Sequence, residues 1–268
     1  MAYVVKSVEL SGRLRLSYVE QGDPSGVPTV LLHGVSDSWH SFELMLPHLP
    51  ASIHAFGLTQ RGHGDSDRPM AGYRTRDFAA DVEAFVNAHG LGPVMVVGHS
   101  MGSTHAMRFA IDYPRRTLGL VLVGAFASYR ANPIVDEFWH STVSQLTDPI
   151  DPALIREFQE RSLAHPVSPE FLDTIVQESL KMPARVWRAA FEGFLEDDFA
   201  RDLGKIQAPT LILWGTEDAF ASRRDQDDLL KKIAGSQLVA YQNVGHAPHW
   251  EEPERFAADL TAFARSLS

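Results

Sequence analysis

The chain has 268 residues, a length that suits one α/β domain with an insertion as well as two small domains, and its 44% apolar and 22% charged residues are ordinary for a soluble globular protein. A formal charge of -10 argues against nucleic acid as a partner, because phosphate binding needs clustered Lys and Arg. The absence of cysteine excludes disulfides, thiolate metal sites and a cysteine nucleophile, and it makes a reducing cytoplasm the expected compartment.

At the N-terminus, Lys6 and Glu9 interrupt the apolar residues, so no signal-peptide core is expected there. Residues 3–9 and 13–20 read as strands broken by Ser11-Gly12, a hairpin signal. Short apolar runs at 29–33 and 53–58 follow as buried strands. Residues 75–89 carry Phe78, Val82, Phe85 and Val86 on one helical face, with Thr75 placed to cap the start and Gly90 beyond the end. Residues 94–98 and 118–124 are dense in Val and Leu, as strands buried on both faces must be, and a helix over 101–113 separates them. The longest apolar stretch, 118–127, is far too short to span a bilayer, so no membrane role is expected.

Residues 131–203 break this rhythm. They hold no convincing strand, and segments starting near Pro133, Pro152, Pro169 and Pro183 look helical. Their apolar residues include Phe138, Trp139, Phe158, Trp187, Phe191 and Phe194. The alternation then resumes with a strand at 210–214, a helix at 225–233, a strand at 237–241 and a closing helix behind Pro253. The expected fold is α/β, with a mostly parallel sheet of about eight strands, helices on both faces and a helical cap insertion. The expected segments are a core over 1–130, a cap over 131–203 and a second core part over 204–268.

Gly98-His99-Ser100-Met101-Gly102 matches the G-x-S-x-G nucleophile elbow. A chain this long contains such a pattern by chance about one time in ten. Its position between a strand and a helix raises its value, because a turn that tight thrusts the serine hydroxyl outward. A serine hydroxyl needs a base. Of twelve histidines, His246 is the candidate, on the loop between the last strand and the last helix. His33 and His99 lie at strand ends beside glycines, where backbone packing is the simpler role. His63 sits in a turn-like segment. His246 and His249 are a minor option as a metal pair, with Pro248 between them. The imidazole needs a carboxylate to hold its tautomer, and Asp218 and Glu217 both follow the strand at 210–214.

Together with these residues, His33-Gly34 at a strand end, Arg61-Gly62-His63-Gly64-Asp65-Ser66, and Gly245-His246 with Glu252-Pro253 resemble the signatures of capped α/β-hydrolases. The resemblance covers nearly the whole chain. It implies a triad in the order Ser100, Asp218, His246, with Asp218 preferred because it stands three residues after the glycine ending its strand. It also implies an oxyanion hole made by the Val35 and Met101 backbone N–H groups. Thr59 departs from the family, where many members carry Asp. Related dehalogenases and epoxide hydrolases attack with Asp at the elbow, whereas a serine there implies an acyl-enzyme. The expected substrate is a small, mostly apolar carboxylic ester or lactone, with no metal or organic cofactor. Trp39, Trp139, Trp187 and Phe191 are the candidate pocket walls. The alternatives are a carbon–carbon hydrolase of ring-fission diketones and a receptor-like module with slow turnover. The oligomeric state is left open.

Overall fold

The computed structural model describes residues 3–130, 132–197 and 199–267; Met1, Ala131 and Ser268, which bound the expected segments, lie outside them. The strands are β1 (Lys6–Leu10), β2 (Leu14–Gln21), β3 (Val27–Leu32), β4 (Ile53–Leu58), β5 (Val94–His99), β6 (Thr117–Val123), β7 (Thr210–Gly215) and β8 (Gln237–Tyr241). The helices are α1 (Thr75–Ala88), α2 (Met101–Asp112), α3 (Pro133–Ser141), α4 (Pro152–Glu160), α5 (Pro169–Leu180), α6 (Ala184–Glu196), α7 (Arg223–Lys232), α8 (Pro248–Glu251) and α9 (Pro253–Arg265).

All eight strands form one sheet in the order β1-β2-β4-β3-β5-β6-β7-β8. β2 runs antiparallel to both its neighbours, and the other pairs are parallel. Successive side chains on a strand point to opposite faces. Along β5, Val94 and Val96 therefore join the core beneath α1, α2 and α7, while Met95 and Val97 join the core beneath α9. From β3 the chain steps outward to β4, and from β5 it steps the other way to β6. The loops leaving the carboxyl ends of these adjacent strands diverge and open a crevice, the usual ligand position in a parallel sheet.

Between β6 and β7 the described residues contain no strand and four α-helices, α3 to α6. Three of these helices begin on proline, with Asn132, Asp151 and Ser168 side chains accepting first-turn N–H groups. A third core, holding Trp187, Phe191 and Phe194 from the insertion with Val35, Met101 and Phe126 from below, fastens this cap over the crevice. No helix among the described residues is long and apolar enough to cross a membrane.

Local differences from expectation have local causes. Thr75 is the first helical residue of α1, not its cap; Asp77 instead accepts the Arg74 N–H at 2.9 Å, and Thr75 turns its hydroxyl to Asp197. α7 starts two residues early because Ser222 and Asp225 cap each other reciprocally. Thr59, the departure from the family pattern, accepts the Trp39 N–H at 3.2 Å.

Candidate active site

Ser100 stands between β5 and α2 with φ 52° and ψ -117°, a conformation costing about 1–3 kcal/mol for a residue with a side chain. Its N–H donates to Val123 O at 2.9 Å, and its carbonyl accepts the Ser103 N–H at 2.9 Å and hydroxyl at 2.6 Å. The flanking glycines are required by space. A Cβ at Gly98 would stand 2.2 Å from Gly102 O, and one at Gly102 would stand 2.1 Å from Leu32 O.

His246 and Asp218 meet behind this turn. The Asp218 oxygens lie 2.9 and 2.8 Å from His246 Nδ1. Asp218 Oδ1 also accepts the Phe220 and Ala221 N–H groups at 2.8 and 2.9 Å, so the loop itself aims the carboxylate. A carboxylate only accepts, so the imidazole proton sits on Nδ1 and Nε2 keeps its lone pair. Glu217 is exposed and takes no part. The His246 N–H donates to Ser162 O of the cap at 2.8 Å, and its carbonyl accepts from His99 Nε2 at 3.1 Å.

The loop after β3 forms the opposite wall. His33 Nε2 accepts the Gln60 N–H at 3.0 Å, which places the ring proton on Nδ1, and that proton goes to Gly34 O at 2.7 Å. The Gly34–Val35 peptide is trans, so pinning its carbonyl on one side sends the Val35 N–H out on the other. His105 Nδ1 holds Gln60 Oε1 at 2.6 Å and stacks on Phe78 at 3.9 Å. Burial pushes both His33 and His105 well below the usual histidine range, which keeps them neutral. Among the described residues, neither the Val35 nor the Met101 N–H donates to another protein group. For Met101, at the start of α2, that follows from helix geometry.

Ser100, His246, Val35, Met101 and Phe191 border one cavity. Phe138, Phe158 and Phe194 of the cap line it too, as do Phe126, Tyr129 and Phe220 of the core. Three expected wall residues do not line it. Trp39 packs beneath the sheet between His40, at 3.8 Å, and Tyr3, at 5.6 Å. Trp187 is 1% exposed and sits behind Phe158 and Phe191. Trp139 is half-buried and stacks on the far side of Phe191 at 6.5 Å.

Sequence reasoning missed a polar network joining this loop to the cap. Ser36 has φ 65°, and its hydroxyl donates to Ser179 Oγ of α5 at 3.1 Å. Gln159 Nε2 of α4 reaches Asp37 Oδ1 at 3.0 Å, Ser179 Oγ at 2.9 Å and Ser36 Oγ at 3.2 Å. Burial pushes the Asp37 carboxyl up to about 7, against the pull of the hydrogen bonds from Gln159 and Ser41. It also missed Phe126, Tyr129 and Phe220. Their position just past the carboxyl ends of β6 and β7 was the signal available.

The sequence pattern of the alpha/beta hydrolase fold family matches residues 27–253. An AB hydrolase superfamily protein, YisY, of Bacillus subtilis is 28% identical over 90% of this chain and 92% of its own. A 2-hydroxy-6-oxononadienedioate/2-hydroxy-6-oxononatrienedioate hydrolase of Klebsiella pneumoniae is 28% identical over 93% and 91%. A thermophilic esterase from Thermogutta terrifontis, solved with malate bound, superposes with a TM-score of 0.86 at 25% identity, over 98% of this chain and 99% of that one.

Proposed function

The chain belongs to the alpha/beta hydrolase fold family, and from that premise we propose that it is a serine hydrolase cleaving small, mostly apolar carboxylic esters or lactones through an acyl-enzyme. The observation that carries this reading is the Asp218–His246 pair at 2.8 Å, with His246 bordering the same aromatic cavity as the strained Ser100.

In this mechanism Ser100 Oγ attacks the ester carbonyl carbon while His246 Nε2 takes its proton. Asp218 stabilises the imidazolium and does not itself take the proton. The carbonyl oxygen gains its negative charge against the Val35 and Met101 N–H groups. Collapse of the tetrahedral intermediate breaks the bond to the leaving oxygen, which receives the proton from His246. Water then gives a proton to His246, attacks the acyl carbon and releases the acid with Ser100 restored. No metal or organic cofactor enters these steps. The aromatic walls favour apolar acyl groups at roughly 25 cal/mol per Å² buried, and offer little to a desolvated charge.

A second reading, hydrolysis of a carbon–carbon bond in ring-fission diketones, uses the same triad and is favoured by the resemblance to the Klebsiella enzyme. Measuring kcat/KM on butyrate esters, small lactones and one such diketone tests both. Esters or lactones ahead support the first reading; the diketone far ahead overturns it. Tight binding of one ligand with almost no turnover would instead mark a receptor-like module.

A further inference from the structure

The cavity has one polar corner that the hydrolytic steps above do not use. Gln159, in the last turn of α4, and Ser162, just beyond it, both line the cavity and are 2% and 4% exposed. Ser162 O accepts the His246 N–H at 2.8 Å, which seats this corner against the base. The Gln159 amide nitrogen is committed to Asp37, Ser36 and Ser179. Two atoms remain, Gln159 Oε1 and Ser162 Oγ. Among the described residues neither has a hydrogen-bond partner. Nor do they belong with the unpaired polar atoms that are sealed from solvent, such as His99 Nδ1 and Trp187 Nε1. Each therefore keeps some accessible surface, on a residue that lines the cavity.

An acceptor and a hydroxyl on residues lining one aromatic cavity suit a group that both donates and accepts, as an O–H group does. Their place beside His246 says which half of the substrate brings it. The base returns its proton to the leaving oxygen, so the alcohol half lies against His246. We propose that Gln159 Oε1 and Ser162 Oγ form a subsite for the alcohol half of the ester, selecting leaving groups that carry a second hydroxyl. The inference rests on the serine-hydrolase reading and names the substrate class within it. A purely alkyl alcohol leaves both atoms unpaired, and a site built to hydrogen-bond a hydroxyl rejects its isostere for that reason.

The test compares 2-hydroxyethyl butyrate with its isostere propyl butyrate on the purified full chain and on Ser162→Ala. A glycol is also the better leaving group in water, so the change of the kcat/KM ratio on substitution carries the test. Ser162→Ala lowers the hydroxyethyl-to-propyl ratio by about five-fold, the size of one neutral hydrogen bond. An unchanged ratio overturns the subsite and leaves the serine-hydrolase reading standing. Absence of turnover on every ester overturns both. A second readout needs no substitution: the butyryl-enzyme of the unaltered protein partitions to added ethylene glycol over 1-propanol by at least about five-fold. Equal partition overturns the subsite.

Discussion

Asp37→Asn should make the protein more stable as pH rises, relative to the unaltered chain. The carboxyl is 2% exposed, and burial holds it at about 7 instead of 3.8. Between those values the folded protein keeps a proton that the unfolded chain has released. Stability therefore falls with rising pH across this window, by up to about 1.4 kcal/mol per pH unit, and levels off above the folded value. The full span corresponds to about 4 kcal/mol lost by neutral pH relative to acid. Asparagine removes that titration and keeps the contacts. Its carbonyl accepts from Gln159 Nε2 as Asp37 Oδ1 does now, and its amide donates to Ser41 Oγ where Oδ2 now accepts. His99 and His249 face the same loop, but burial pushes His99 well below its usual range and His249 down to about 3, so neither charges in this window. Urea unfolding of both proteins from about pH 4 to about pH 8 gives the difference directly, since groups that do not interact with Asp37 cancel. The advantage of the variant should grow steadily with pH up to about 7. A difference that stays constant, or shrinks with pH, refutes the reasoning.

Gln159→Leu removes the tie from the cap to Asp37 and one of the two that reach Ser36, the Ser36–Ser179 bond remaining, so it should cost about 1–3 kcal/mol by urea unfolding and lower kcat more than it raises KM; a KM effect alone would contradict a role for this network in positioning the loop after β3. Gly102→Ala places a Cβ 2.1 Å from the fixed carbonyl of Leu32, and it should cost more than about 3 kcal/mol or prevent folding, as thermal melts would report. Phe191→Ala enlarges the cavity at its cap wall at a cost of about 3–5 kcal/mol, and the acyl length giving the highest kcat/KM should increase; an unmoved optimum would count against Phe191 as an acyl wall.

Much of the site was legible because it is built from punctuation. Ser100 and Asp218 each follow an apolar strand closed by glycine, His246 follows Gly245 on the loop after β8, and a parallel sheet must deliver such loops to one edge. Val35 and Met101 come only with the resemblance to capped α/β-hydrolases, as the residues after His33-Gly34 and after Ser100. The tryptophans were not legible. Helical spacing puts Trp187 and Phe191 on one face of α6 and marks Trp139 of α3 as apolar, but does not say that Phe191 alone among them reaches the cavity. Trp39 stands close behind the Val35 loop in sequence, yet it turns beneath the sheet to pack with Tyr3. Asp37 and Gln159 carry no local signal. They lie 122 residues apart, and only the docking of α4 over the crevice brings them together.

The central claim is that Ser100 is the nucleophile, and covalent trapping tests it most directly. Incubation with an active-site phosphonate followed by peptide mass spectrometry should find one adduct per chain, on Ser100. Ser100→Ala should take no label, lose several orders of magnitude in kcat/KM and remain folded. An adduct on a different serine, or retained ester turnover in Ser100→Ala, would contradict the account.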